Sequence, residues 1–514
     1  MSARITIAAS VLVTVAACAP VGPEFARPDM PMPPAWLDAE RASFDASPAE
    51  LADWWRVLED PVLDRLVDTA RKQNDNLKIA GLRVLESQAS LGIARGNQYP
   101  QVQVAVGDAT ALGASESAPN TAAGDLEFIQ YNAGAAVSWE FDFWGRFRRA
   151  IEAADADLAR TMADYDDVLV LLTAGVVETY AVMRATEVQL ELAQRSLGIQ
   201  QRSYEIVDLL YRRGDSSELD ALQAHSLLLG TKATIPVLEA GVRRSKNALA
   251  TLLGMLPGDV DPLLGAPGTM PSVPQQFAIG MPADLLRQRP DVRAAEMAAL
   301  AQNAIVGVAT AGLYPSFSLD GYLGLAAADN TNTTRTGETG IDQLFRSESL
   351  TYSAGASFIW PFLNYGRIRN NIRVQDARLQ QALAAWRATV IRAAGEVEDA
   401  LIGFRSARAQ HRILADSVAT AERSAEIAML RYQEGFADYQ RVLDSQQRLF
   451  NQQQRYASNL GDVMRSFAAI YRSLGGGWQL AAPEYVDEET RRDMQERTDW
   501  GGLLETDPAP AAVQ

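Results

Sequence analysis

The 514-residue sequence has little of what catalytic and metal sites are usually built from. Its single cysteine, Cys18, cannot form a disulfide within the chain. Its only two histidines, His225 and His411, each stand alone in a helical stretch and therefore predict no metal site. No P-loop, nucleophile elbow or glycine-rich dinucleotide turn is present. The net charge of −17 argues against a nucleic-acid partner, which requires a basic surface. We therefore expect no enzyme, no cofactor and no metal.

A membrane-spanning hydrophobic run is missing at the N-terminus. Residues 5–17 carry no charge, but thirteen residues are too few to cross a bilayer and suit a secretory signal peptide. The run ends in Val15-Ala16-Ala17, directly before Cys18, which resembles the lipobox of bacterial lipoproteins. An ordinary signal peptide with an incidental cysteine is the alternative. We predict cleavage before Cys18 and lipidation of its thiol.

Proline is absent from residues 144–213 and 362–482, which predicts two very long helices. Seventy helical residues would reach roughly 100 Å. A return helix is predicted from the turn after Gly214 to about residue 253. A further helix over 284–313 would then restore the length of the first long helix.

The second half of the chain repeats the first, with residue numbers shifted by 221. This offset relates Gly145 to Gly366, Tyr211 to Tyr432 and Gly214 to Gly435. A repeat of this length determines the architecture. We predict two copies of a strand–strand–helix–turn–helix unit, with the second return helix at 436–474 and its upper half supplied by residues 61–98.

Four strands of alternating polarity are predicted, in two hairpins over 99–142 and 314–361. Aromatic residues lie toward the strand ends, as in the girdles of outer-membrane barrels. Four strands cannot close a barrel, and open sheet edges do not persist in lipid. A trimer would supply twelve strands. The edge of a soluble β-sandwich is the alternative.

Several local motifs give the chain a resemblance to a known family: the outer-membrane factors of tripartite efflux systems, or TolC-like channels, in the lipoprotein branch with NodT and OprM. The resemblance covers roughly residues 18–480. Its fold is mostly α-helical with a membrane β-barrel portion, and it implies a homotrimer with a twelve-stranded barrel, a long periplasmic helical tunnel and a mixed α/β belt. The motifs are the lipobox-like residues 15–18, Trp54-Trp55, Asp60-Pro61, residues 141–146 (Phe-Asp-Phe-Trp-Gly-Arg), residues 285–296 (Leu-Leu-Arg-Gln-Arg-Pro-Asp-Val-Arg-Ala-Ala-Glu), Tyr314-Pro315 and Gly366-Arg367-Ile368.

The resemblance implies passive export of drugs or other small molecules through the outer membrane. A periplasmic adaptor protein and an inner-membrane pump of the resistance–nodulation–division type would be the partners. The protein would be lipid-anchored in the outer membrane and extend into the periplasm. Two alternatives remain: the outer-membrane duct of a type I protein-secretion system, and a periplasm-spanning structural lipoprotein.

The functional residues implied by the resemblance lie in the two helix–helix turns, 214–220 and 435–440. Asp444 matches one of two acidic rings at the closed entrance, whereas Arg441 replaces the other. Asp220 matches an acid that ties the closed state through Tyr432. Solvated helix-end charges are the alternative interpretation. The adaptor-contacting tips would be Gly214, Asp215, Ser216, Gly435, Phe436 and Ala437.

These expectations divide the chain into six segments. They are a signal peptide (1–17), a lipidated N-terminal arm (18–60), a first repeat (61–254), an equatorial linker (255–283), a second repeat (284–475) and a C-terminal equatorial segment with an acidic tail (476–514).

Overall fold

The computed structural model describes residues 20–27, 29–30, 36–37, 51–113, 115, 117, 126–274, 286–330, 340–479 and 485–504. Its helices and strands follow the order that the repeat predicts. They are α1 (Pro61–Gln73), α2 (Asp75–Gly96), β1 (Val102–Gly113), β2 (Glu127–Phe141), α3 (Arg146–Arg213), α4 (Glu218–Leu252), the short α5 (Asp261–Leu264), α6 (Pro290–Ala311), β3 (Ser316–Asn330), β4 (Leu350–Ile359), α7 (Arg367–Gln433), α8 (Tyr439–Ser473) and α9 (Glu488–Arg497), with 3₁₀ turns at Trp54–Leu58, Ile341–Gln343, Ser347–Ser349 and Gly501–Leu504.

The two long helices are α3, with 68 residues, and α7, with 67 residues. Each begins after a glycine in the left-handed conformation, Gly145 (φ 76°) and Gly366 (φ 82°), at equivalent positions of the repeat. Among the described residues, α3 alone has an 18-residue window apolar enough to cross a membrane, and 67% of that window is buried inside the protomer. The apolar stretch of α3 is therefore a packing surface of the core.

The predicted helix over 61–98 is instead two helices that meet at Asn74. The side chain of Asn74 accepts a hydrogen bond from the Leu77 N–H at 2.9 Å and so starts a new helix. The helix predicted over 284–313 begins at Pro290, because proline is favoured in the first turn and lacks the N–H that a position inside the helix would use.

The four strands form one antiparallel sheet in the order β1-β2-β3-β4. Ser138 on β2 lies opposite Asp320 on β3, and Ser138 Oγ donates to Asp320 Oδ1 at 2.6 Å. On the other side, Ser357 of β4 donates to the same carboxylate at 2.9 Å. These bonds order one polar face of the sheet. Within the described protomer, β1 and β4 each have one neighbouring strand, so both are edges.

The helices form a layer with two tiers, an upper tier next to the strands and a lower tier next to the two helix turns. In the lower tier, α4 packs on α3, α3 on α8, and α8 on α7. In the upper tier, α2 packs on α3, α3 on α6, and α6 on α7. The long helices α3 and α7 therefore run through both tiers, whereas each remaining column consists of two shorter helices placed end to end.

The partners in these columns are the reverse of the prediction. From the sequence, residues 284–313 were predicted to continue the first return helix and residues 61–98 the second. In the structure, α2 continues α4, since Asn74 Nδ2 donates to the Leu252 carbonyl at 2.9 Å. Likewise α6 continues α8, since Arg289 Nη1 donates to the Ser473 carbonyl at 2.5 Å. The lengths alone fit either arrangement, and these contacts decide between them.

The N-terminal arm lies along the upper tier. The N–H of Val21 donates to the Trp144 carbonyl at 2.9 Å, next to the start of α3. Farther along, Asn303 Nδ2 of α6 donates to the Pro23 carbonyl at 3.0 Å, and Arg27 forms an ion pair with Glu296. The arm therefore connects α3 to α6 on the side where both helices approach the strands.

Candidate functional site at the two helix turns

The two turns that join the helices of the lower tier have the same backbone geometry. Gly214 (φ 84°) and Gly435 (φ 76°) both adopt the left-handed conformation in which a helix ends. In the first turn the Asp215 N–H donates to the Leu210 carbonyl at 2.8 Å, and the equivalent bond of the second turn has the same length. The repeat is thus preserved at the level of single hydrogen bonds.

Asp220 belongs to a capping box at the start of α4. Its N–H donates to Ser217 Oγ at 3.1 Å, and its carboxylate accepts from the Ser217 N–H at 3.4 Å. The hydroxyl groups of Ser217 and Ser216 donate to the same carboxylate oxygen at 2.8 and 3.1 Å. Asp220, which was predicted to stabilise the closed state, therefore caps the start of its own helix.

Arg441 occupies the position equivalent to Asp220 in the second repeat. Its guanidinium lies 3.8 Å from the carboxylate of Asp438, the N-cap residue of α8. Both side chains are more than two-thirds exposed, so this pair adds little stability. The capping box of the first turn is replaced in the second by a solvated ion pair.

The predicted link from Asp220 to Tyr432 runs through Ser216. Burial raises the pKa of the Tyr432 phenol, a hydrogen bond with Ser216 lowers it, and the charge of Asp220 raises it. The Ser216 hydroxyl also donates to Asp220, so it connects the two residues. Among the described contacts no direct Asp220–Tyr432 hydrogen bond is present, and the tie between these residues in the closed state stays a prediction.

A small apolar cluster packs the two turns against each other. The Tyr439 side chain is one of its buried members, and its ring lies 5.2 Å from that of Tyr432 in an edge-to-face arrangement. Burial raises the pKa of Tyr439 to about 12, so the phenol is neutral. Turn positions in α4 and α8 are therefore coupled by packing. The buried members of the cluster are Val207, Ala221, Ala224, Tyr439 and Val442.

Asp444 is exposed on α8, two helical turns above Gly435. Its carboxylate accepts a hydrogen bond from Gln440 Nε2 at 2.8 Å. It borders a groove of about 600 Å³ between α7 and α8, which Asp416, Arg441 and Arg448 also line. Two carboxylates and two guanidinium groups surround the groove, so its charge is more balanced than a simple acidic ring would be.

The predicted adaptor-contacting residues form the end of the lower tier. Gly214, Asp215, Gly435 and Phe436 are exposed, whereas Ser216 and Ala437 are half-buried. The Phe436 side chain is the most apolar of them and is 80% exposed. The other site prediction, lipidation of Cys18, lies outside the described residues.

A row of polar contacts where α3 meets α8 was not predicted from the sequence. Gln446 Nε2 donates to Ser203 Oγ at 2.9 Å, and Ser196 Oγ to Gln453 Oε1 at 3.4 Å. All four residues are buried. The signal was present in the sequence, since amides and hydroxyls occupy positions of α3 and α8 that helical periodicity assigns to the core.

Comparison with known proteins agrees with this geometry. The family described as outer membrane efflux protein matches residues 66–255 and 281–476, which is one match for each repeat. The chain belongs to this family. The pyoverdine export outer membrane protein OpmQ of Pseudomonas putida is 30% identical over 456 residues, covering 88% of this chain and 93% of OpmQ. The solvent efflux pump outer membrane protein SrpC of Pseudomonas putida is 29% identical, with 89% and 95% covered.

The solved structure of the outer-membrane channel OprN superimposes on this outer membrane efflux protein with a TM-score of 0.82. The two are 31% identical, and the match covers 89% of this chain and 99% of OprN. The predicted TolC-like fold and the predicted role as the outer-membrane channel of an efflux system are confirmed. The two turns lie at the end of the helical layer opposite the strands, and therefore at the periplasmic end of the channel.

Proposed function

We propose that the protein acts as a passive homotrimeric duct whose twelve strands close into one barrel. The observation that carries this is the protomer's four-stranded sheet, in which β1 and β4 are both edges. In a bilayer each unpaired backbone group costs several kcal/mol, so the edges must pair. Because all neighbours in the sheet are antiparallel, β4 of one protomer can pair with β1 of the next in the same sense.

Native mass spectrometry in detergent tests the assembly. A trimer is the expected species, and its dissociation should expose β1 and β4 to proteases. A protein that remains monomeric while it inserts into lipid would contradict the proposal.

The lipid anchor at Cys18 is supported by the position of the arm that follows it. Pro20 packs against Gly145, directly before α3, and Val21 is bonded to Trp144. The Trp144 ring stacks on Tyr314 at the base of the second hairpin, with ring centres 4.4 Å apart. Pro20 therefore lies near the ends of the strands, where the membrane surface is expected, and a lipid attached two residues earlier would be separated from it by at most about 7 Å of chain.

Replacement of Cys18 by serine tests the anchor. We expect loss of the lipid, measured by intact mass, with retention in the outer membrane, because one lipid chain is a weak anchor beside a closed barrel. A variant that becomes soluble in the periplasm would contradict the barrel.

The export partners follow from the named relatives and from the turns. OpmQ is named for pyoverdine export and SrpC for solvent efflux, which supports small organic molecules as cargo here. The exposed tip around Phe436 offers an apolar contact for a periplasmic adaptor, and an inner-membrane pump of the resistance–nodulation–division type would supply the energy. The protein itself performs no catalysis in this scheme.

We place the gate at the two turns. Asp444 of each protomer would approach its counterparts where the tunnel narrows, and the charges would favour cations over anions. The Tyr432–Ser216–Asp220 connection would hold the turns together in the closed state. Only the closed state would use these bonds, so their loss would favour opening.

A further inference from the structure

Each column of stacked helices is joined by one side chain, which we call a splice. In the first column the splice is Asn74. Its Nδ2 donates to the Leu252 carbonyl at the end of α4, and its Oδ1 accepts from the Leu77 N–H at the start of α2. One neutral amide therefore pairs with one backbone group at each helix end and joins the two helices.

Arg289 is the splice of the second column. The residue numbers of Asn74 and Arg289 differ by 215, as do those of the Tyr-Pro pairs at 99–100 and 314–315. Arg289 Nη1 donates to the carbonyl of Ser473, which the repeat offset of 221 relates to Leu252. The two splices are thus equivalent positions of the repeat that bond equivalent carbonyl groups.

Arg289 differs from Asn74 because it also holds a long helix. Its Nε and Nη2 both bond the carboxylate of Asp291 at 2.9 Å, and Nη2 reaches Glu396 of α7 at 2.8 Å. Arg289 is 6% exposed. One buried guanidinium therefore fixes α6, α7 and α8 to one another at a single height.

Below this joint, α8 meets α3 through a row of polar side chains and, at the turns, through the apolar cluster that contains Val207 and Val442. Gln189 and Gln454 exchange side-chain bonds with each other's backbone carbonyl at 3.2 and 3.0 Å. The pairs of Gln453 with Ser196 and of Gln446 with Ser203 continue toward the turns. Each neutral pair of this kind contributes less than the charge-assisted bond from Arg289 to the Ser473 carbonyl, so Arg289 is the stronger polar constraint on α8.

A small change in the direction of the helix at Arg289 produces a larger displacement farther along the helix. Ser473 lies 29 residues after Asp444, which is roughly 44 Å of helix. A tilt of about 5° at Arg289 would move Asp444 by about 4 Å, since displacement grows with helix length. The direction of the α7–α8 pair at its upper end therefore controls the width of the lower end.

We propose that Arg289, through Glu396, is a positioning residue for the channel entrance and sets how often the entrance opens. The proposal rests on the proposed gate near Asp444. Arg289 does not line the groove beside Asp444. It aligns the helix pair that carries the gate.

The test compares Arg289→Gln with Glu396→Gln in the full-length trimer. Glutamine at 289 can still donate to the Ser473 carbonyl, as Asn74 does to Leu252, but it loses both carboxylate partners. Glu396 is 46% exposed, so its variant should fold even if the Arg289 variant does not. In planar bilayers we expect the open fraction to rise roughly fivefold or more, the lower end of typical coupling between two sites. Spin labels at Glu434→Cys should give broader distances between protomers.

Two further variants complete the design. Arg195→Gln removes an exposed ion pair with Glu191 on α3 and should leave both readouts unchanged. Arg289→Lys keeps the charge and should restore part of the wild-type open fraction. Wild-type openings and distances in both Arg289→Gln and Glu396→Gln would overturn the proposal, as would an effect of Arg289→Gln that Glu396→Gln does not share. A failure of the proposed gate is distinguished by the ion selectivity of Asp444→Asn, which would then equal that of the wild type.

Discussion

Gly145 and Gly366 form a matched pair that isolates the contribution of the N-terminal arm. Both precede a long helix with positive φ, so alanine at either position costs about 1–2 kcal/mol for the left-handed conformation. Their surroundings differ. A Cβ at Gly145 would lie 2.5 Å from the Cβ of Pro20, whereas at Gly366 the nearest atom is Asn370 Nδ2 at 3.6 Å. Gly145→Ala should therefore displace the arm, and Gly366→Ala should not.

The bonds of the arm set the size of the effect. Val21 bonds to the Trp144 carbonyl, Arg149 Nε donates to the Val21 carbonyl at 3.3 Å, and Asn303 bonds to Pro23. At about 1 kcal/mol each, these three bonds contribute about 3 kcal/mol to docking, in addition to the ion pairs of Glu24 with Arg149 and of Arg27 with Glu296. Loss of half of this raises the undocked fraction roughly tenfold, since about 1.4 kcal/mol corresponds to a factor of ten.

Proteolysis after Glu24 measures undocking of the arm. A glutamate-specific protease should cleave Gly145→Ala about ten times faster than the wild type, because cleavage requires a locally opened chain. Gly366→Ala should be cleaved at the wild-type rate, although its trimer should melt at a lower temperature. Equal cleavage of the two variants would show that the contact with Pro20 does not hold the arm.

Two further predictions concern charge. Asp444→Asn should lower cation selectivity in single-channel recordings with little effect on opening, and unchanged selectivity would place this carboxylate outside the pore. Burial, assisted by the charge of Asp291, raises the pKa of Asp167 to about 6. Because this is above the unfolded value of 3.8, the folded state retains the proton longer, and the stability from Asp167 is lost as the pH rises through about 6. Asp167→Asn should therefore stabilise the trimer at pH 7 by up to about 3 kcal/mol per protomer and flatten the pH dependence of its melting temperature between about pH 4 and 6, and an unchanged profile would contradict the shift.

The helices and strands could be predicted because their signals are local. The absence of proline predicts α3 and α7, and period-two alternation predicts the strands. The column partners could not be predicted in the same way. Helix α4 has 35 residues, and α2 and α6 both have 22, so either one completes the column. The choice depends on contacts between distant segments, such as Asn74 with Leu252.

In the turns, too, the helix ends could be predicted from the sequence, whereas the individual side-chain hydrogen bonds could not. The glycines at 214 and 435 predict helix ends by their conformational freedom, and both ends lie where expected. The direct bond from Asp220 to Tyr432 was implied by resemblance alone. The spacing of Ser217 and Asp220 already matched a capping box, and that local use of the carboxylate competes with a bond to the other turn.

The repeat also explains why the second helix pair alone carries a charged joint. The backbone supplies equivalent splice positions in both repeats, so the difference must come from side chains. Asp291 corresponds to Asn76 at the offset of 215, and Glu396 corresponds to Gly175 at the offset of 221. An arginine at position 74 would therefore find neither carboxylate and would leave a buried charge without a partner, which is costly. The first repeat can keep only a neutral splice. In the second, three charged residues together tie α7 and α8 to α6, and these are the helices on which Asp444 and Tyr432 lie.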